Sequence, residues 1–143
     1  MDKPKKDVEL LLKNGKPVQF PISGWSMYPF LSDGDSVTVS PINLQDLKLN
    51  QVVLYRRDNG PLVLHRIIDI KDDGLYLCGD NQFDIEGPLR NNQVFGKLVS
   101  FSHKQKLIQT DSFPYRVSSN CWRLLRPIRP VIAKAVHYLK KRL

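Results

Sequence analysis

Acidic residues are absent from residues 112–143 of this 143-residue chain, yet eight of its 22 Lys and Arg lie there, from Arg116 to Arg142. All 14 Asp and Glu fall earlier and balance the remaining basic residues, so the whole net charge of +8 belongs to the C-terminal segment. That division excludes a nucleic-acid surface spread over the whole protein and directs any anionic partner to the C-terminus. Cysteine is scarce as well. Cys78 and Cys121 are too few for a disulfide framework, and no Cys/His spacing resembles a zinc site, so free thiols in a reducing compartment and no metal or cofactor are expected. No apolar run approaches the roughly 18 residues of a membrane span. The start, Met1-Asp2-Lys3-Pro4-Lys5-Lys6-Asp7, lacks the apolar stretch of a secretion signal. The location expected from these absences is cytoplasmic, or peripheral at the cytoplasmic membrane face. Internal repeats and low-complexity segments are also missing.

What is present is ordinary globular composition, 41% hydrophobic and 25% charged. The length is enough to bury roughly 68–70% of the unfolded surface in one domain. Val8–Lys13 predicts one or two helical turns, ended by Asn14-Gly15-Lys16-Pro17. From residue 18 the pattern changes to short runs rich in β-branched and aromatic residues: Val18–Ile22, Ser36–Ser40, Gln51–Arg56, Leu62–Ile70, Leu75–Cys78 and Val94–Ser102. Asp33-Gly34-Asp35, Asp58-Asn59-Gly60-Pro61, Asp72-Asp73-Gly74 and Glu86-Gly87-Pro88 are read as turns, the third closing a hairpin. The expected organisation is a short N-terminal helix and linker (1–17), a mainly β domain (18–111) and a basic helical tail (112–143). In the tail Asn120–Arg126 is a short basic and apolar segment, and Pro127 and Pro130 break or restart the chain. Beyond them Ile132, Ala135, Val136, Leu139 and Leu143 follow the spacing of an amphipathic helix of about three turns.

Three strings carry candidate chemistry. Gly24-Trp25-Ser26-Met27-Tyr28-Pro29 puts a serine in an irregular backbone just past a strand; its ordinary role is a surface turn. Leu62-Val63-Leu64-His65-Arg66-Ile67-Ile68 places a histidine inside a strand, ordinarily as a hydrogen-bonded surface residue. A serine hydroxyl is a weak nucleophile that needs a base, and imidazole suits that task near neutral pH. His103, in a polar stretch, and His137, in the tail, are weaker candidates. Cys78-Gly79-Asp80-Asn81-Gln82-Phe83-Asp84-Ile85-Glu86 is an acidic turn after a strand, either a solvated loop or the source of a carboxylate that orients the histidine.

Taken in order, Gly24-Trp25-Ser26-Met27-Tyr28-Pro29, Gly34-Asp35, His65-Arg66-Ile67, Gly79-Asp80-Asn81 and Gly96-Lys97 resemble the type I signal peptidase and LexA-like serine peptidase clan over residues 18–100. The resemblance implies a β-rich peptidase fold in which Ser26 is the nucleophile and His65 the general base. Histidine where bacterial members carry lysine makes the chain look like the archaeal and endoplasmic-reticulum branch. Asp80 matches the aspartate of the Gly-Asp-Asn motif. The acid that supports histidine in that branch lies a few residues later, where Asp84 is the nearest candidate and Glu86 the next. Backbone amides near Ser26 would meet the oxyanion, with Gly24, Trp25, Met27 and Tyr28 as oxyanion or substrate-binding candidates. The chain departs from the family in four places: Gly24 stands where many members carry serine, Asn50-Gln51 where they carry a second Gly-Asp, the acidic loop after Gly79 is short, and no N-terminal span precedes the motif.

The implied activity is cleavage of leader or signal-like segments of peptide or protein precursors after small residues. The alternative is a catalytically degenerate interaction or regulatory module on the same fold. A self-cleaving repressor is disfavoured, because the segment before residue 18 is too short for a DNA-binding domain. For the tail two readings stand: an anionic membrane surface met through residues 112–143, or a helix packed on the β domain with its charges solvated. Nucleic acid is an unlikely partner because the basic cluster lacks an interleaved aromatic surface.

Overall fold

A computed structural model describes residues 2–58 and 60–142. Met1, Asn59 of one turn and Leu143 of the tail's apolar series lie outside the described residues. The helix α1 (Asp2–Lys13) precedes eight strands: β1 (Val18–Pro21), β2 (Ser36–Ser40), β3 (Val52–Arg56), β4 (Leu62–Lys71), β5 (Gly74–Cys78), β6 (Glu86–Leu89), β7 (Val94–His103) and β8 (Lys106–Gln109). Two helices follow, α2 (Phe113–Leu124) and α3 (Arg129–Arg142). The strands form one antiparallel sheet in the order β1-β2-β7-β3-β4-β5-β6, with β8 pairing β7. The protein is therefore mainly β with helical ends.

Alternation explains the layering. In β2 Val37 and Val39 are buried while Ser36, Thr38 and Ser40 are half-buried, the period of two that a one-sided strand requires. In β3 Val52, Val53, Leu54 and Tyr55 are all buried, because both faces of this central strand are covered. Val52 and Leu54 join Val37, Val39, Leu98 and Phe101 in the larger core, to which α1 adds Val8 and Leu12 and α2 adds Tyr115. Val53 and Tyr55 join Leu47, Ile67, Leu77 and Leu89 in the smaller one. Each such side chain contributes about 1.5–3 kcal/mol when fully buried.

Four elements differ from the sequence reading. The first helix is twelve residues long, since its first turn carries little apolar signal while Val8 and Leu12 supply the packing. Glu86-Gly87-Pro88, read as a turn, is an edge strand paired to β5, a position that tolerates proline. Gly87 is required there: a Cβ would lie 2.7 Å from the Leu75 carbonyl oxygen. The β7–β8 hairpin closes on Lys104 and Gln105, both at positive φ (50° and 67°), a turn without its usual Asn-Gly signature. Finally, α2 starts at Phe113, well before the expected Asn120. The hairpin at Asp72-Asp73 forms as expected, with Lys71 opposite Gly74.

Candidate active site

Ser26 lies in the loop between β1 and β2. The loop is held from below by Met27 and Leu31, both buried in the larger core, and from the side by the Gly24 amide, which donates to Asp33 Oδ1 at 2.7 Å. Gly24 adopts φ 92°, a left-handed conformation that favours glycine. Because its N–H is engaged by Asp33, Gly24 is not a free oxyanion donor. The Ser26 amide has no acceptor among the described residues and is free to donate, as are the neighbouring Trp25 and Met27 amides. Trp25 and Tyr28 are exposed and meet edge to face at 5.8 Å on the same turn, outside the cleft lining, while Met27 serves chiefly as an anchor.

His65 lies in β4, opposite Val53 of β3. Ser26 and His65 border one cleft of about 400 Å³, whose apolar walls include Val8, Phe20, Ile22, Leu62 and Val63. The two side chains make no direct hydrogen bond to each other. His65 is 1% exposed. Burial pushes its pKa down to about 4 against a partial upward pull from Glu86, so the imidazole is neutral at pH 7. A buried neutral histidine has the protonation state of a general base.

The carboxylates sort themselves clearly. Asp80 does not support His65: its carboxylate accepts two bonds from Arg66, Nε to Oδ1 and Nη2 to Oδ2, each 2.7 Å. Arg66 follows His65 in β4 and so projects to the opposite face, where it meets the Phe30 and Tyr115 rings. Burial works against its charge, but Asp80 more than compensates and raises its pKa. Asp84 is exposed and has no hydrogen bond or ion pair to His65. The acid nearest the imidazole is Glu86, the second sequence choice, whose Oε1 lies 3.7 Å from His65 Nδ1. Between them stands Tyr55, with its hydroxyl 3.0 Å from Nδ1 and 2.8 Å from Glu86 Oε2. Arg57 completes the group, its Nε donating to Glu86 Oε2 at 3.0 Å and its Nη2 to Oε1. Burial works to raise the Glu86 pKa, but the bonds from Arg57 and Tyr55 win and keep it below the usual value. Tyr55 and Arg57 carry no motif, and only the sheet register brings them to the histidine.

The Gly79-Asp80-Asn81 string acts as a clamp. Asn81 donates its backbone N–H to the Ser26 carbonyl at 2.9 Å and its Nδ2 to the Trp25 carbonyl at 3.2 Å. Gly79 permits this approach, because a Cβ there would lie 2.7 Å from the Ser26 carbonyl oxygen. Asp80 ties the same turn to β4 through Arg66, so one short loop couples the serine loop to the strand carrying the histidine. Arg66 also donates Nη1 to the Asn50 carbonyl at 2.8 Å. Asn50 holds φ 78°, which asparagine tolerates better than most residues.

No His, Cys, Asp and Glu grouping suited to a metal ion occurs among the described residues. Cys78 is buried beside the clamp, and burial raises its thiol pKa, which disfavours the reactive thiolate. Family models and curated proteins gave no match to this chain.

Proposed function

We propose that this protein is a serine endopeptidase similar to signal peptidases, in which Ser26 attacks a peptide carbonyl and His65 takes its proton. The observation that carries this reading is the shared cleft, with a loop serine and a buried neutral histidine on one apolar groove. Ser26 Oγ forms the bond to carbon while its proton passes to His65, the oxyanion meets the Ser26 amide, and the protonated histidine returns the proton to the leaving amine. Water then hydrolyses the acyl-enzyme by the same exchange. Two strand edges bordering the groove are unpaired among the described residues: β1 pairs only with β2, and β5 covers β4 only from Arg66 onward, leaving Leu62–His65 open. An extended peptide can add to such edges and place alternate side chains in the apolar groove. The ordered motifs favour leader-like segments of precursors as the substrate class. Peptide-library cleavage read by mass spectrometry tests the reading. Ser26→Ala and His65→Ala are each expected to lower cleavage on the order of 10⁴-fold. Cleavage that survives both changes assigns it to another site or a contaminating peptidase and overturns this reading, while an inert wild type whose Ser26 also resists fluorophosphonate labelling favours a non-catalytic module.

The tail supports an anionic lipid surface as the place of action. Residues 130–142 of α3 are exposed throughout, so this helix does not pack its apolar face on the β domain. Val131, Ile132, Val136 and Leu139 form an uncovered apolar stripe beside Lys134, Lys140 and Lys141, and no acidic residue is near them in sequence. A helix of this kind lies in the membrane interface, each cation adding about 1 kcal/mol on anionic lipid. Among the described residues no helix is long and apolar enough to cross a membrane. The full chain is expected to float with phosphatidylglycerol-containing vesicles but not with phosphatidylcholine alone. Replacing Lys134, Lys140 and Lys141 by Gln should weaken that flotation; an unchanged result in the triple variant removes the lipid from the proposal.

A further inference from the structure

Resting on the peptidase reading, the geometry points to Tyr55, held by the Glu86–Arg57 pair, as the positioning residue that fixes the tautomer of His65 and leaves Nε2 as the base. The argument is a proton count. Tyr55 has one hydroxyl hydrogen and two neighbours, His65 Nδ1 at 3.0 Å and Glu86 Oε2 at 2.8 Å. Glu86 is ionised, with the Arg57 guanidinium bonded to both of its oxygens, and an ionised carboxylate can only accept. The tyrosine hydrogen therefore goes to Glu86. Its oxygen can then meet Nδ1 only as an acceptor, so Nδ1 carries the imidazole hydrogen. In a neutral ring the other nitrogen, Nε2, must then be unprotonated. Nε2 makes no hydrogen bond among the described residues, and the ring borders the cleft that holds Ser26.

Arg57 has a defined part in this chain of bonds. Its two bonds favour the ionised form of Glu86 against the opposing effect of burial, whereas a protonated Glu86 could donate its own hydrogen to Tyr55 Oη. The tyrosine hydrogen would then be free to turn to Nδ1 and reverse the tautomer. The pair Arg57–Glu86 thus sets the direction of every bond between itself and the imidazole. During proton transfer from Ser26 the charge formed on the ring meets Glu86 Oε1 at 3.7 Å from Nδ1, close enough to offset part of it without direct contact. A carboxylate acting through a phenol also explains why no acidic residue bonds His65 directly.

Nitrogen-15 correlation spectra of the imidazole rings test this without a substrate. In the wild-type protein at pH 7, His65 is expected to show Nδ1 at the protonated, pyrrole-type shift and Nε2 at the unprotonated, pyridine-type shift. Tyr55→Phe, which deletes only the hydroxyl, should move His65 toward a mixture of tautomers, while Glu86→Gln should lower the pH at which the ring protonates because a nearby negative charge is removed. A wild-type ring protonated on Nε2 overturns the proposal, and that measurement needs no variant to fold. An unaltered tautomer in folded Tyr55→Phe overturns it as well. If the expected tautomer is found but Ser26 fails to react with a fluorophosphonate, the positioning role stands and the peptidase reading fails; reactivity with the wrong tautomer gives the converse.

Discussion

The β domain and the C-terminal helices follow opposite rules. Over residues 1–111 charges balance, and the interior ones are paired: Arg66 is 1% and Asp80 3% exposed, while Arg57 pairs the half-buried Glu86 beside the histidine. In the helices every formal charge is positive and most of them face solvent. The boundary between the two regimes is α2. Its inner face, Tyr115, Ser119 and Trp122, docks on the domain: Tyr115 Oη accepts from Arg66 Nη2 at 3.1 Å, Ser119 Oγ accepts from Asn50 Nδ2 at 2.8 Å, and Trp122 Nε1 donates to the Asp80 carbonyl at 2.8 Å. Its outer face leaves Phe113, Val117 and Leu124 exposed. Among the described residues Arg129 is the last to join the domain, stacked over Trp122 at 5.2 Å and bonded to the same Asp80 carbonyl. A low-dielectric interior makes each charge costly unless paired, whereas an exposed helix can accumulate one sign freely.

The largest break in this contrast should come from Asp80→Ala. It strands Arg66 in the interior and is expected to cost about 3–5 kcal/mol in urea unfolding. The same change at exposed Asp84 should stay within about 0.5 kcal/mol. Similar losses at both positions would show that the buried pair has no special weight.

A smaller effect follows from the histidine. Its folded pKa of about 4 lies below the ordinary 6.5, so the unfolded chain binds more protons between those values. Stability is complete above about pH 6.5 and is lost as pH falls toward 4, by up to about 3 kcal/mol. Urea midpoints at pH 7 and pH 4.5 should therefore differ more in wild type than in His65→Gln, and equal differences would refute the assignment.

The smallest effect sharpens the comparison from the other side. A chain ending at Pro130 keeps Arg129 and removes only exposed helix, so its unfolding free energy should change by no more than about 0.5 kcal/mol. A loss of several kcal/mol would mean that α3 packs on the domain after all.

Local chemistry makes much of this protein legible in its sequence. Val37 and Val39 alternate with Ser and Thr, Asp72-Asp73-Gly74 closes a hairpin, and the tail's apolar spacing is helical, because each of these depends on neighbours within a turn or a strand. Ser26 and His65, candidate nucleophile and candidate base on separate strings, share one cleft. The sequence by itself also determined where the charge lies, since +8 confined to residues 112–143 is a matter of counting. What it could not determine was which acid meets the histidine. Asp80, Asp84 and Glu86 are close along the chain, but the strand carrying His65 alternates, sending Arg66 to the face where Asp80 waits and His65 to the face of Tyr55. Glu86 reaches that second face only because β6 pairs at the sheet edge, opposite Leu77 of β5. Side-chain partners across a sheet are set by register between strands distant in sequence, and that register is decided by the tertiary fold.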